Sequence, residues 1–138
     1  MSVFTEAERE YLTSATLGRL ATVGPDGQPH VVPVTFAFNA AEDTIDVGGI
    51  FFGRTKKWRD GKRNPKVTFL VDESWGEGAK AIEIRGRAEA HETGGDKIHP
   101  KFPNFTPEFL RIRPRRIVAW GVEPGEGEGT FAVNARDI

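Results

Sequence analysis

The stretch from Gly18 to Phe38, GRLATVGPDGQPHVVPVTFAF, restricts the fold of this chain more than any other. Two runs of strand-forming residues flank Gly24-Pro25-Asp26-Gly27, and Pro and Gly at those places supply the backbone angles of a tight reversal. The reading is strand, turn, strand, so an antiparallel pair is expected. In the second strand Val32, Val34, Phe36 and Phe38 alternate with Val31, Pro33, Thr35 and Ala37. A period of two puts these sets on opposite faces, and both are mostly apolar. One face is therefore expected in the core and the other under a separate cover. Pro33 interrupts the pattern because it has no N–H to give to a ladder; it belongs on an edge, at a bulge or against a ligand.

The rest of the chain extends this theme. Thr5 and Glu8 have the spacing of a capping box, and Ala7, Tyr11, Leu12 and Ala15 share a helical face, which predicts a helix over residues 6 to 15. TIDVGG from Thr44 reads as a third strand. Lys56 to Arg63 has the length of two helical turns and stops at Asn64-Pro65, since proline disfavours a helical residue before it. KVTFLVDE from Lys66 is a fourth strand, Ala79 to Glu92 a fifth with one wet face, and Arg115 to Glu123 a sixth. Between the last two, Thr93 to Pro107 reads as a loop, with a short helical turn over residues 106 to 110. Residues 124 to 138 read as a tail behind a flexible Gly/Glu linker. Six short strands joined mostly by hairpin-like turns predict a mainly β chain, a small closed antiparallel barrel with flanking helices in one domain over residues 1–138.

Composition narrows the chemistry. There is no Cys among the 138 residues, which excludes disulfides, a thiol nucleophile and thiolate metal sites. The N-terminus MSVFTEAERE is polar and acidic, and no apolar run approaches the roughly 20 residues of a membrane helix. A soluble, cytoplasmic protein with no membrane partner is expected. A formal net charge of -1 offers no global field for nucleic acid.

Charge placement says more than charge total. Gly53 to Lys66, GRTKKWRDGKRNPK, sets seven cations against the single anion Asp60. This follows Gly48 and Gly49, at a junction where backbone amides and a helix dipole can meet an anion. Three readings are open: a solvated helix face, a nucleic-acid contact, and a site for a phosphate-bearing ligand. The last uses the glycines for close backbone approach and Lys56 or Lys57 to reach the anion. A protein-borne catalytic group is hard to find. His30, His91 and His99 share no spacing, and Ser14 and Ser74 have no base nearby in sequence. Trp58 and Trp120 read as core or interface residues. If the chain is an enzyme, a cofactor must carry the chemistry.

LGRLATVGPDGQPHVVPVTF, VGG and TKKWRDGKRNPKVTFLV together resemble the pyridoxamine-phosphate-oxidase-like flavin-binding split barrels, and more closely their actinobacterial branch that uses the deazaflavin coenzyme F420. The resemblance spans Leu17 to about Val122; Lys57 followed by Asn64-Pro65-Lys66-Val67 is its most specific element, with RIRPRRIVAWG and NARDI in support. It implies a six-stranded split barrel of the FMN-binding type, a homodimer with two cofactors at its interface, and hydride transfer between F420 and a small conjugated substrate. FMN in the same barrel, and a non-catalytic flavin- or F420-binding protein, are the alternatives. By the resemblance the Val31–Thr35 strand, with Val32, Pro33, Val34 and Thr35, lies under the ring system, and the backbone groups of Val32 and Val34 touch it. Ile50 and Phe51 border the ring, and Thr55 and Lys57 match phosphate-contacting positions. Lys56 stands where the family often has Arg, a point charge in place of a fork. Arg54, Lys56, Lys57 and Arg59, with Arg113, Arg115 or Arg116, would help screen a polyglutamate tail. No catalytic side chain or metal ligand is implied.

Overall fold

Antiparallel strands laid edge to edge close here into a barrel. The computed structural model of the protein describes residues 1–73, 78–124 and 131–138. Helix α1 (Glu6–Ser14) opens on the full capping box, with Thr5 Oγ1 accepting from the Glu8 amide and the Glu8 carboxylate accepting from the Thr5 amide. Strands β1 (Leu17–Val23) and β2 (Pro29–Asn39) form the expected hairpin, followed by β3 (Thr44–Gly48), helix α2 (Lys56–Arg63), β4 (Lys66–Glu73), β5 (Lys80–His91), β6 (Phe109–Pro124) and β7 (Phe131–Asp137). The strand order is β3-β2-β1-β4-β5-β6-β7, and a further pairing of β3 with β6 closes six strands into a ring with β7 outside it.

Strand β6 can serve three neighbours because it is 16 residues long. Its first half, around Leu110 to Ile112, pairs with β3, its second half pairs with β7, and β5 runs along its other edge. The β5–β6 register slips at Arg85/Gly86 and leaves Arg115 without an opposite residue. A Cβ on Gly86 would stand 2.6 Å from the Arg113 carbonyl oxygen, so the slip needs glycine there.

The barrel interior is filled by the inward residues of each strand. Leu20, Phe36, Ile45, Phe69, Ile84, Ile112 and Ile117 are all fully buried. Phe36 and Phe69 meet edge to face with ring centroids 4.8 Å apart. Trp58 of α2 seals one end of this core against Phe52.

Three expectations are corrected. The helical turn proposed over residues 106 to 110 is absent: Phe109 and Leu110 already belong to β6, whose charged Arg111 and Arg113 find partners in Asp46, Glu42 and Glu89. The tail is a seventh strand, anchored where Arg136 meets the buried Glu8. The outer face of β2 is covered only from Thr35 onward; Val31 is 65% exposed and Pro33 is exposed too. Ser74 and the linker over residues 125–130 lie outside the described residues. Among the described residues no helix is long and apolar enough to cross a membrane.

Candidate cofactor site

The backbone of β2 explains why Pro33 is tolerated. The Phe36 N–H donates to the Thr16 carbonyl at 3.1 Å. Because pairing alternates along an antiparallel strand, the backbone groups of Val32 and Val34 also turn toward β1, and those of Val31, Pro33 and Thr35 turn away. On that far side β3 pairs with β2 only from Thr35, opposite Gly48. Val31 and Pro33 therefore form a free edge, and Pro33 gives up no ladder bond. Among the described residues, the backbone groups of this stretch left without a strand partner belong to Val31 and Pro33, whereas those of Val32 and Val34 are engaged with β1.

The Thr35–Gly48 pairing brings a second element to this edge. After β3 the chain turns through Ile50 and Phe51, each 59% exposed, and Phe51 holds a left-handed backbone with φ 54°. That conformation is uncommon for a side chain with a Cβ and costs on the order of 1 kcal/mol. It is held by its neighbours. The Phe52 amide donates to Thr106 Oγ1 at 3.0 Å, and the Thr106 amide donates to the Gly49 carbonyl at 3.0 Å. The Arg54 guanidinium lies over the Phe51 ring at 5.1 Å.

Thr55 then starts α2 as its N-cap: Oγ1 accepts from the Trp58 amide and donates to the Phe52 carbonyl at 2.7 Å. Its hydroxyl thus shapes the site from within. The amides of Lys56 and Lys57 have no partner among the described residues, leaving two donors at the positive end of the helix dipole.

The seven cations sort into two groups. Lys56 Nζ bonds Asp60 Oδ2 at 2.7 Å and Arg63 approaches the same carboxylate at 3.5 Å, while Lys62 pairs with Glu92. Arg54, Lys57, Arg59 and Lys66 have no carboxylate partner among the described residues. Of the two adjacent lysines, Lys56 is committed to Asp60, whereas Lys57 meets no carboxylate among the described residues. Lys57 is half-buried with its ammonium 5.5 Å from the Phe52 ring centroid, and burial lowers its pKa below the usual lysine value. A desolvated cation without a carboxylate partner among the described residues, carried in the first turn of a helix whose first two amides are unpaired there, suits an anion.

Asp60 is the internal counterweight to this cluster. It is 2% exposed, and the hydrogen bond from Lys56, opposed by burial, holds its carboxyl below the usual aspartate range. A depressed folded pKa stabilises the fold above the unfolded pKa near 4 and loses that contribution as pH falls through the folded value. Denaturation of Asp60→Asn beside the wild type should therefore show a stability gap that is full at neutral pH and narrows in acid; a gap unchanged below pH 3 would exclude this role.

Sequence reasoning passed over His99 and Thr106. Thr106 latches the 93–107 segment to the turn carrying Ile50 and Phe51, and His99 is buried to 9% exposure. Neither has a local sequence signature: Thr106 acts through the Gly49 carbonyl and the Phe52 amide, far off in sequence, and His99 lines a cavity whose other wall is β2. Among the described residues no group of three metal-ligating side chains occurs.

Comparison with known proteins accords with this geometry. The pyridoxamine 5'-phosphate oxidase family profile matches residues 4–120. A 5a,11a-dehydrotetracycline/5a,11a-dehydrooxytetracycline reductase of Streptomyces rimosus is 42% identical over 138 residues, covering 98% of this chain and 93% of that protein. A conserved hypothetical protein of Mycobacterium tuberculosis shares the fold with a TM-score of 0.68 at 22% identity, covering 93% of this chain and 94% of the other. A FAD-binding protein of Mesorhizobium loti superimposes with a TM-score of 0.61 at 26% identity, over 84% and 92% of the two chains. The β2 edge, the latched turn and Lys57 thus sit within a known architecture, and the chain belongs to the pyridoxamine 5'-phosphate oxidase family of oxidoreductases.

Proposed function

We propose that this protein is an F420-dependent oxidoreductase that moves a hydride between the deazaflavin and a small conjugated organic molecule. The observation that carries the reading is Lys57, a half-buried ammonium with no carboxylate partner among the described residues, next to the open amides of Lys56 and Lys57. These groups fit the phosphate of a flavin-type cofactor. Arg54 and Arg59, also without carboxylate partners among the described residues, suit an acidic tail beyond it. When bound, the reduced coenzyme supplies the hydride from its ring. The chain's own part is to bind and orient: Lys57 holds the anionic end, the Val31–Pro33 edge supports the ring, and Ile50 and Phe51 keep water from one side.

The S. rimosus relative is named for reducing a dehydrotetracycline, a conjugated polycycle, which supports an acceptor of that class here. The FAD-binding protein of M. loti supports a flavin in place of the deazaflavin, and the second reading is the same barrel holding FMN. Titration of the full chain with F420 and FMN under identical salt separates the two. Oxidation of reduced F420 on adding acceptors then separates an enzyme from a carrier. Saturable binding of neither coenzyme would sink the assignment.

The site is completed, on this reading, in a homodimer. Leu17, Val31, Ile50 and Phe51 are each more than half exposed, and Leu17 and Val31 point outward from adjacent strands of one sheet face. Val31→Lys should shift the protein toward monomer in sedimentation velocity and weaken coenzyme binding with it. A monomeric wild type would refute the pairing.

A further inference from the structure

A cavity of about 430 Å³ lies between the end of α1, the C-terminal half of β2 and the segment after β5. Phe36, Ala37 and Phe38 line it from β2, Ser14 from α1, and Ile98 and His99 from the far side. It adjoins the cofactor site on two counts. Its β2 lining begins one residue beyond Thr35, and Ile98 packs against Gly48, where an added Cβ would stand 2.9 Å from Ile98 Cδ1. The same segment is latched to the Ile50–Phe51 turn through Thr106.

His99 is the polar group of this wall whose state the fold defines. Its Nδ1 accepts the Lys101 backbone N–H at 3.1 Å, and its ring lies against Phe102 with centroids 4.8 Å apart. An Nδ1 that accepts a hydrogen bond leaves the proton on Nε2. Nε2 has no protein partner among the described residues, so it is the atom His99 can offer to an occupant of the cavity. Burial, with the Lys101 ammonium second, lowers the His99 pKa and keeps the ring neutral.

We infer that this cavity is the acceptor pocket and that His99 donates its Nε2–H to the carbonyl oxygen of an α,β-unsaturated ketone bound there. The inference rests on the hydride-transfer reading above and adds the group that polarises the acceptor. The electron balance is that of conjugate reduction. Hydride from a reduced flavin-type coenzyme forms a C–H bond at the β-carbon, and the alkene π pair moves toward the carbonyl to give an enolate. Water then protonates the enolate to the saturated ketone. A neutral imidazole fits this role because charge develops on oxygen, and a preplaced N–H stabilises it without giving up its proton. The apolar strand floor accommodates a flat skeleton.

The test uses the full chain and 2-cyclohexen-1-one as probe. Long-range ¹H–¹⁵N spectra should show His99 as the Nε2–H tautomer, with its Nε2 resonance moving on titration with the enone, with or without coenzyme. His99→Phe should lower kcat for enone reduction by about a hundredfold, and His99→Gln, which places an amide N–H near Nε2, should recover part of it. Coenzyme affinity should be unchanged in both variants. A His99 resonance indifferent to the enone, or a folded His99→Phe that reduces it at the wild-type rate, overturns the inference even if F420 binds and turns over. Failure of every coenzyme to bind, with the His99 shift intact, would overturn the hydride-transfer reading and leave the pocket standing.

Discussion

Replacing Arg136 by Met should destabilise the fold by about 3–5 kcal/mol, because it strands a buried carboxylate. Glu8 is fully buried, and Arg136 meets it in a two-pronged pair: Nη2 donates to Oε1 and Nη1 to Oε2 at 3.1 Å. The same guanidinium donates to the Val3 carbonyl at 2.9 Å, so one side chain of β7 fixes both the first turn of α1 and the residues before it. Glu8 also caps the Thr5 amide at 2.9 Å. Without Arg136 that carboxylate must keep its charge in an apolar setting, take up a proton or expel the helix. For a chain of this size the cost corresponds to a fall in Tm on the order of 10 °C. Glu8→Leu combined with Arg136→Met should cost less than Arg136→Met alone, since removing both partners removes the unpaired charge. Equal losses in the single and double variants would mean that packing, not charge pairing, holds β7 to α1.

The contrast between β2 and β6 shows what can be read from residues alone. In β2 the alternation of Val32, Val34, Phe36 and Phe38 is uninterrupted on the core face, and the turn before it is chemically explicit, so strand, register and facing follow from local sequence. In β6 the stretch RIRPRR hides a strand. Its Arg111 and Arg113 are neutralised by Asp46, Glu42 and Glu89 from distant parts of the chain, and its proline sits opposite Gly86 at the register slip. No window along the sequence contains those partners. Asp46 makes the same point from the other side. It is 3% exposed in an apolar strand, and its cost is offset by Arg111, 65 residues away, with help from Asn39 and Thr44.

The site was legible in the same uneven way. The basic segment offered an anion site as one of three readings, and the i,i+4 spacing of Lys56 and Asp60 already contained the reason Lys56 is spoken for. Lys57, whose i+4 neighbour is Gly61, has no such partner. His99 could not be found this way. Its tautomer is set by the Lys101 amide and its ring lies against Phe102, both close in sequence, but its place opposite β2 depends on a segment that Thr106 ties to the turn after β3, which no local window shows.

Lys57→Met should weaken coenzyme binding roughly ten- to hundredfold, the loss of a charge-assisted bond worth about 1.5–3 kcal/mol. The same change should leave the apoprotein at least as stable as the wild type, and the sign follows from titration. Burial lowers the folded pKa of Lys57 below its ordinary value. The charged form is therefore less favourable folded than unfolded, a cost fully present at neutral pH that vanishes only as pH rises through the unfolded lysine range near 10. Removing the ammonium relieves that cost, and binding an anion offsets it. Lys56→Met should do the reverse, sparing coenzyme affinity and weakening the fold through Asp60. Because the Lys57 contact is electrostatic, the wild-type advantage should shrink as salt rises, and the two binding curves should converge. Equal affinity of Lys57→Met and wild type at low salt would remove Lys57 from the site and, with it, the main support for an anionic coenzyme at the start of α2.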